Sequence, residues 1–188
     1  ERAGVGGAYL LCDAGIAAGG GEVTNGTIVR ERPEHGPGID DLVARSFGPE
    51  RTRKTVYRLR EGVPPVPELC FVVVGEDDGV HAAIRYWPVW IEETPAILLG
   101  PLAVQPDMRG QGMGRRLVRH SLDAAREHGH RICLVVGDPR YYRPYGFQLA
   151  NPLGLILPGP VDPRRFQAAA LVPGALDGVR GGGKRMAA

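Results

Sequence analysis

The chain has 188 residues, 43% of them hydrophobic, and a formal net charge of +2. That is enough for one domain with a real core. No stretch approaches the roughly 20 apolar residues that cross a bilayer, and the small net charge argues against a nucleic-acid partner. Lys54 and Lys184 are the only lysines, so the positive charge is almost all arginine, which reads as compositional habit. Cys12, Cys70 and Cys133 show no metal-ligand spacing and cannot all pair. Cys70 and Cys133 fall in apolar runs, as small buried hydrophobes do, and a reducing cytoplasm is the compartment expected.

Residues 1–23 are rich in Gly and Ala with no clear period, and are expected to be an N-terminal extension or tail before a domain spanning 24–172. They lack the basic start, long apolar centre and cleavage site of a secretory signal. The domain is predicted to open with a strand at 27–31 and a helix at 38–47, whose first turn Asp40 and Asp41 favour. A second helix is expected over 51–61, ended by Gly62 and a proline-rich run. Residues 69–74 read as a strand, and Asp78-Gly79 as the turn of a hairpin into a third strand from Val80 to Trp87 or beyond. Pro88 should break or bulge that strand, with the next turn at 92–95.

The run 96–147 organises the chain. Residues 97–104 are apolar nearly throughout, as in a strand covered on both faces. Arg109-Gly110-Gln111-Gly112-Met113-Gly114 then offers three glycines, which let a ligand approach the backbone. In the amphipathic helix that follows, Leu117, Val118, Leu122 and Ala125 share a face, and Gly129 stops it. N–H groups at its start can point at phosphate oxygens. Arg115, Arg116 and Arg119 lie where the helix dipole disfavours cations by about 0.3–1 kcal/mol each, so a bound anion would relieve them; a plainly solvated arginine face is the alternative. A fifth strand is expected at 132–136, then late strands at 155–157 and 165–171, and a frayed C-terminal tail over 173–188. Strands two to four should form an antiparallel meander; the helix joining four and five implies that they are parallel.

Competing motifs fail. A dinucleotide fingerprint would need glycine where Arg115 stands, the Gly-Lys-Ser/Thr of a Walker A loop is absent, and His128 and His130 do not make a metal-binding H-E-x-x-H.

Arg109-x-x-Gly112-x-Gly114 after an apolar strand resembles the acyl-CoA pyrophosphate loop of the GNAT superfamily of N-acyltransferases. Tyr142-Arg143-Pro144-Tyr145-Gly146-Phe147 is similar to that family's Tyr-x-x-x-Gly-Phe ending. The strong part of the resemblance, residues 98–147, looks like a bacterial subgroup of predicted acetyltransferases; a weaker part extends over 27–171.

The resemblance implies an α/β fold of α+β type. Its mixed, mostly antiparallel sheet has six to seven strands and helices on both faces, splayed between the fourth and fifth strands to admit the pantetheine arm. It implies acetyl-CoA or another acyl-CoA as co-substrate, no metal, and direct transfer to a primary amine. Leu102, Ala103 and Val104 match the strand that pairs with pantetheine, the Leu102 N–H being the candidate oxyanion donor. The N–H groups of Arg109, Gly110, Gln111, Gly112, Met113, Gly114 and Arg115 match the pyrophosphate cradle. Tyr142 matches the tyrosine that protonates the departing thiolate; a phenol, with an ordinary pKa near 10, carries that proton at neutral pH. Tyr141 is adjacent, so a one-residue offset stays open, as does plain packing of both rings. Glu92, Glu93, Asp138, His81 or water is the candidate general base. The acceptor amine is unspecified; the regions expected to meet it, 51–61, 85–93 and the segment after Phe147, include Arg85, Trp87 and Trp90 but carry no motif. A monomer and a homodimer through the late strands both stay open, and a non-catalytic acyl-CoA-binding module is the alternative function.

Overall fold

The computed structural model describes residues 26–187; residues 1–23 and Cys12 lie outside them. The chain runs β1 (Thr27–Arg30), α1 (Gly36–Phe47), α2 (Thr55–Arg60), β2 (Phe71–Val74), β3 (Val80–Ile91), β4 (Thr94–Val104), α3 (Met113–Glu127), β5 (Ile132–Val136), α4 (Pro139–Tyr142), β6 (Gln148–Leu149), β7 (Leu155–Ile156), β8 (Phe166–Ala170) and β9 (Gly181–Arg185). The sheet order is β1-β2-β3-β4-β5-β8-β6, with β9 pairing β3 and β7. It is antiparallel from β1 to β4, and the β4–β5 pair is parallel.

Alternation along the strands sorts the side chains into two layers. Val72, Ala83 and Ala103 pack under Ile39, Leu42 and Val43 of α1. Their neighbours Phe71, Val73, Ala82, Ile84, Leu102 and Val104 face Leu117, Val118 and Leu122 of α3 on the other side. Helices therefore cover both faces. Leu117, Val118 and Leu122 are at most 1% exposed, each contributing about 1.5–3 kcal/mol by burial. Cys70 and Cys133 are buried as expected, and burial pushes the Cys70 thiol up to about 12.

The central layer contains one closed polar group. Tyr86 hydroxyl and Ser121 Oγ are 2.8 Å apart, and Ser121 also bonds the Leu117 carbonyl of its own helix at 2.7 Å. Tyr86→Phe leaves Ser121 with a backbone partner, so it should cost only about 1 kcal/mol. Ser121→Ala strands a fully buried phenol and should cost more, toward 3 kcal/mol. Urea unfolding of the two variants checks this order.

Nine strands form among the described residues where six or seven were expected; the additions are short or, in β9, built of glycine. The expected frayed tail is a correction. Residues 181–185 pair with Val89, Trp90 and Ile91 of β3 and run parallel to β7. Gly181 and Gly183 permit it: a Cβ would lie 2.5 Å from the Glu92 side chain in the first case and 3.0 Å from Leu157 in the second. The helix expected over 51–61 is also split. Residues Pro49–Arg53 form a 3-10 turn, Lys54 is extended, and α2 restarts at Thr55, whose hydroxyl donates to the Pro160 carbonyl at 2.5 Å. Helix α1 starts two residues earlier than expected, so Asp40 and Asp41 fall in its second turn; Asp41 pairs with Arg45 at 2.9 Å instead.

Pro88 neither breaks nor bulges β3, which pairs through it with Ile97. Tyr86 turns its carbonyl away from β4 to accept the Val66 N–H. Pro88, two residues on, turns its ring nitrogen to that same edge, where no ladder bond is lost. The bulge lies on β4: Ile84 faces Leu102 and Tyr86 faces Leu99, so Gly100 and Pro101 together oppose Arg85.

Candidate active site

The bulge aims the backbone of β4. The Gln105 N–H donates to the His81 carbonyl, so His81 faces β4 and Ile84, three residues later, faces away. Opposite Ile84, Leu102 therefore turns its N–H and C=O away from β3 as well, toward the β5 side. The two parallel strands pair only at Ile97 with Cys133 and Leu98 with Leu134. Beyond that point β5 stays with β8 to Val136, and the sheet opens. A cavity of about 160 Å3 fills the opening, lined by Leu99, Gly100, Pro101 and Leu102 of β4, Val135 and Val136 of β5, and Tyr142. Ala103 turns to the α1 face; Val104 follows Leu102, and its carbonyl accepts the Arg109 Nε at 3.3 Å.

That contact folds the loop back over the end of β4. Gly110 and Gly112 have φ of +78° and +79°, the left-handed region that favours glycine. A Cβ at either would meet no protein atom within 4 Å. Gly112 is the N-cap of α3, and the first helical bond runs from the Arg116 N–H to its carbonyl. The N–H groups of Met113, Gly114 and Arg115 precede that bond, at the positive end of the helix dipole. Arg115, Arg116 and Arg119 are exposed and form no ion pair among the described residues. Open space above two left-handed glycines and a helix start fit a phosphate-bearing ligand.

Tyr142 is 1% exposed. Asp138 starts the short helix that carries it by accepting the Arg140 N–H at 2.8 Å. The Tyr142 ring packs edge-on against Tyr141 at 4.9 Å and Phe147 at 5.5 Å. Of the two tyrosines, Tyr142 lines the cavity; Tyr145 is half-buried against the core.

None of the four residues considered as general base lines the cavity. Glu92 sits in the β3–β4 turn with a φ of +50°, taking Lys184 Nζ and the Gly182 N–H at 2.6 Å each. Those bonds anchor β9 and hold its carboxyl below the usual range. Glu93 is exposed beside it. Asp138 is occupied as a helix cap, and His81 bonds Asp77 at 3.2 Å. The sequence points to Glu92 and Glu93 by proximity along the chain to β4, but the turn and the bulge lie at different places on that strand.

The structure adds residues that no motif marks. From α2 and the segments around it, Lys54, Tyr57 and Arg60 reach the cavity, joined by Arg165 from the start of β8. Tyr57, Arg60 and Pro101 also line an adjoining hollow of about 630 Å3, together with Arg85 and Trp87. Trp90 lies instead opposite Lys184 of β9. The legible signal was the position of residues 51–61 and 85–93, not their composition.

Residues 67–149 match the model of the acetyltransferase (GNAT) domain. YhbS of Escherichia coli K12, an uncharacterized N-acetyltransferase, is 35% identical over 153 residues, covering 80% of this chain and 90% of YhbS. The chain belongs to the GNAT family of N-acetyltransferases. The crystal structure of E. coli YhbS in complex with CoA superposes with a TM-score of 0.75 at 33% identity, covering 86% of this chain and 89% of that one. A GNAT acetyltransferase from Brucella melitensis in complex with acetyl-CoA gives a TM-score of 0.62 at 27% identity, over 86% and 96% of the two chains. The splayed mixed sheet is thus the GNAT fold. Among the described residues no helix is long and apolar enough to cross a membrane, and no group of His, Cys, Asp and Glu is placed to hold a metal ion.

Proposed function

We propose that this GNAT protein transfers the acetyl group of acetyl-CoA to a primary amine by direct attack in a ternary complex. The observation that carries the reading is the backbone of Leu102: its polar groups face the opening between β4 and β5, in the cavity that Tyr142 lines. The pyrophosphate rests on N–H groups of the 109–115 loop, and pantetheine runs along Leu102, Ala103 and Val104 in place of the missing strand partner. The thioester carbonyl points at the Leu102 N–H. Such a donor stabilises a developing oxyanion by about 2.7–4 kcal/mol. The neutral amine nitrogen bonds to the carbonyl carbon, the carbon–sulfur bond breaks, and Tyr142 gives its proton to the departing thiolate. With Glu92, Glu93, Asp138 and His81 away from the cavity, the proton lost by the amine passes to water in the adjoining hollow.

The same lack of those bases in the cavity suits a non-catalytic acyl-CoA-binding module. Thermal unfolding with and without acetyl-CoA, with adenosine as control, tests binding; thiol release with a panel of amines tests turnover. Acetyl-CoA at one hundred times its dissociation constant should add about 2.7 kcal/mol of stability, while adenosine adds none. No shift with acetyl-CoA removes both readings. A shift followed by steady thiol release excludes the binding module, and a shift without release from any amine excludes the enzyme.

A further inference from the structure

One side of the cavity holds a cation that no acidic side chain among the described residues pairs with. Arg60 closes α2 beside the β4 bulge, so near that a Cβ on Gly100 would lie 3.0 Å from its Nη2. Its guanidinium lies 5.0 Å from the Tyr57 ring centroid and 5.6 Å from that of Trp87. Trp87 is itself fixed by donating from Nε1 to the Gly100 carbonyl at 2.7 Å. Arg60 Nε is buried without a hydrogen-bond partner, and Arg60 takes part in no ion pair among the described residues.

Arg85 lines the same hollow and shows the contrast. It is held by both oxygens of Glu31, at 2.7 and 3.0 Å, with Asp40 at 3.8 Å. Two largely buried arginines thus share one hollow, and one has its counter-ion. Basic groups outnumber acidic ones around Arg60: Arg51, Lys54 and Arg165 line the cavity with it and, after burial, Arg85 lowers its pKa, while Glu61, which also lines the hollow, forms no ion pair with it among the described residues. Asp162 also lines the cavity, but both its oxygens are taken by Arg164. Burial brings Arg60 down to about 10, so it keeps its charge at neutral pH. A desolvated guanidinium with no carboxylate is costly unless a ligand supplies one, and its planar fork suits a carboxylate in particular.

We infer that Arg60, held between Tyr57 and Trp87, binds the carboxylate of the acceptor, so that the preferred acceptor is a small primary amine that also carries a carboxylate. The inference rests on the acyltransferase reading above. It names the substrate class that reading leaves open. The aromatic rings orient the fork without quenching its charge, and the carboxylate anchors the amine at the β4 bulge.

Matched pairs test it: α-, β- and γ-amino acids against the corresponding amino amides, which keep the amine and lose the charge. Two measurements are made on the wild-type chain, Arg60→Met and Arg60→Lys: unfolding midpoints in saturating CoA, and kcat/KM by thiol release from acetyl-CoA. In the wild type at least one acid should raise the midpoint where its amide does not, and be acetylated about 10- to 100-fold more efficiently, the worth of a charge-assisted pair. Arg60→Met should abolish the preference and Arg60→Lys keep part of it. Equal behaviour of acids and amides throughout, or a preference that persists in Arg60→Met, overturns the inference. Should Arg60→Met fail to fold, the wild-type pairs and Arg60→Lys decide. Acetyl-CoA alone separates the two levels: no shift overturns the acyltransferase reading, whereas a normal shift with no acid–amide difference overturns only the role of Arg60.

Discussion

Tyr142→Phe is expected to lower kcat by about 10²- to 10⁴-fold, the range for loss of a positioned general acid. Acetyl-CoA affinity should stay within about threefold, because a group that acts only as the carbon–sulfur bond breaks contributes little to ground-state binding. The fold should survive the change. The ring retains its edge-on packing against Tyr141 and Phe147, and losing one buried hydroxyl costs about 1 kcal/mol. Steady-state kinetics with varied acetyl-CoA separates the two constants. The mechanism makes a sharper demand: an acetyl thioester of a more acidic thiol needs less help in leaving, so the deficit of Tyr142→Phe should shrink with that donor. Tyr141→Phe is the control for the adjacent position, since Tyr141 lies outside the lining of the cavity; its kcat should be nearly that of the wild type. A Tyr142→Phe enzyme with full turnover removes Tyr142 from the chemistry.

Gly112→Val should weaken acetyl-CoA binding by about 100-fold or more, equivalent to about 2.7 kcal/mol. The residue has a φ of +79°, a conformation that costs other L-residues about 1–2 kcal/mol and valine, being β-branched, more readily than most. No protein atom lies within 4 Å of the added Cβ, so the stability loss measured without ligand should be confined to that backbone cost. The binding loss is a separate effect. A branched side chain occupies the open space above the N-cap of α3 and shifts the turn that aims the N–H groups of Met113, Gly114 and Arg115. Calorimetric titration with acetyl-CoA, beside urea unfolding of the ligand-free variant, reads the two apart. Native affinity in a folded Gly112→Val protein would mean that the turn is structural only.

The strand, glycine turn and helix from Ile97 to Glu127 were legible because their information is local. Apolar period, a pair of left-handed glycines and a helix terminator act within a few residues of one another. The same holds for β5; in the tyrosine segment after it the resemblance pointed to Tyr142 and left Tyr141 open, and the short helix that Asp138 and Pro139 start turns Tyr142 into the lining of the cavity. Pro101 acts locally too: it brings no N–H to a ladder, and the bulge of β4 forms there. At Pro88 the identical chemistry misled, since whether a missing N–H matters depends on which edge of β3 it faces, and that is settled by Val66 and β4.

The amino-acid sequence by itself determined β2 to β5, the parallel pairing of β4 with β5 and the glycine turn at the start of α3, all through short-range pattern; the splay of that pair and the choice of Tyr142 came from the resemblance to a family. Tertiary structure decided the rest. The glycines of β9 have no side chains to announce a strand; they form one by pairing with β3 and β7, and at Gly181 and Gly183 the Glu92 and Leu157 side chains pack where a Cβ would stand. Glu92 pairs with Lys184, distant in sequence, and lies outside the lining of the cavity. Arg60 was one arginine in a chain with 23 basic residues. Only the folded arrangement shows that Glu31 neutralises Arg85 and leaves Arg60 between two aromatic rings, because the balance of charge in a cavity is set by which distant segments meet there.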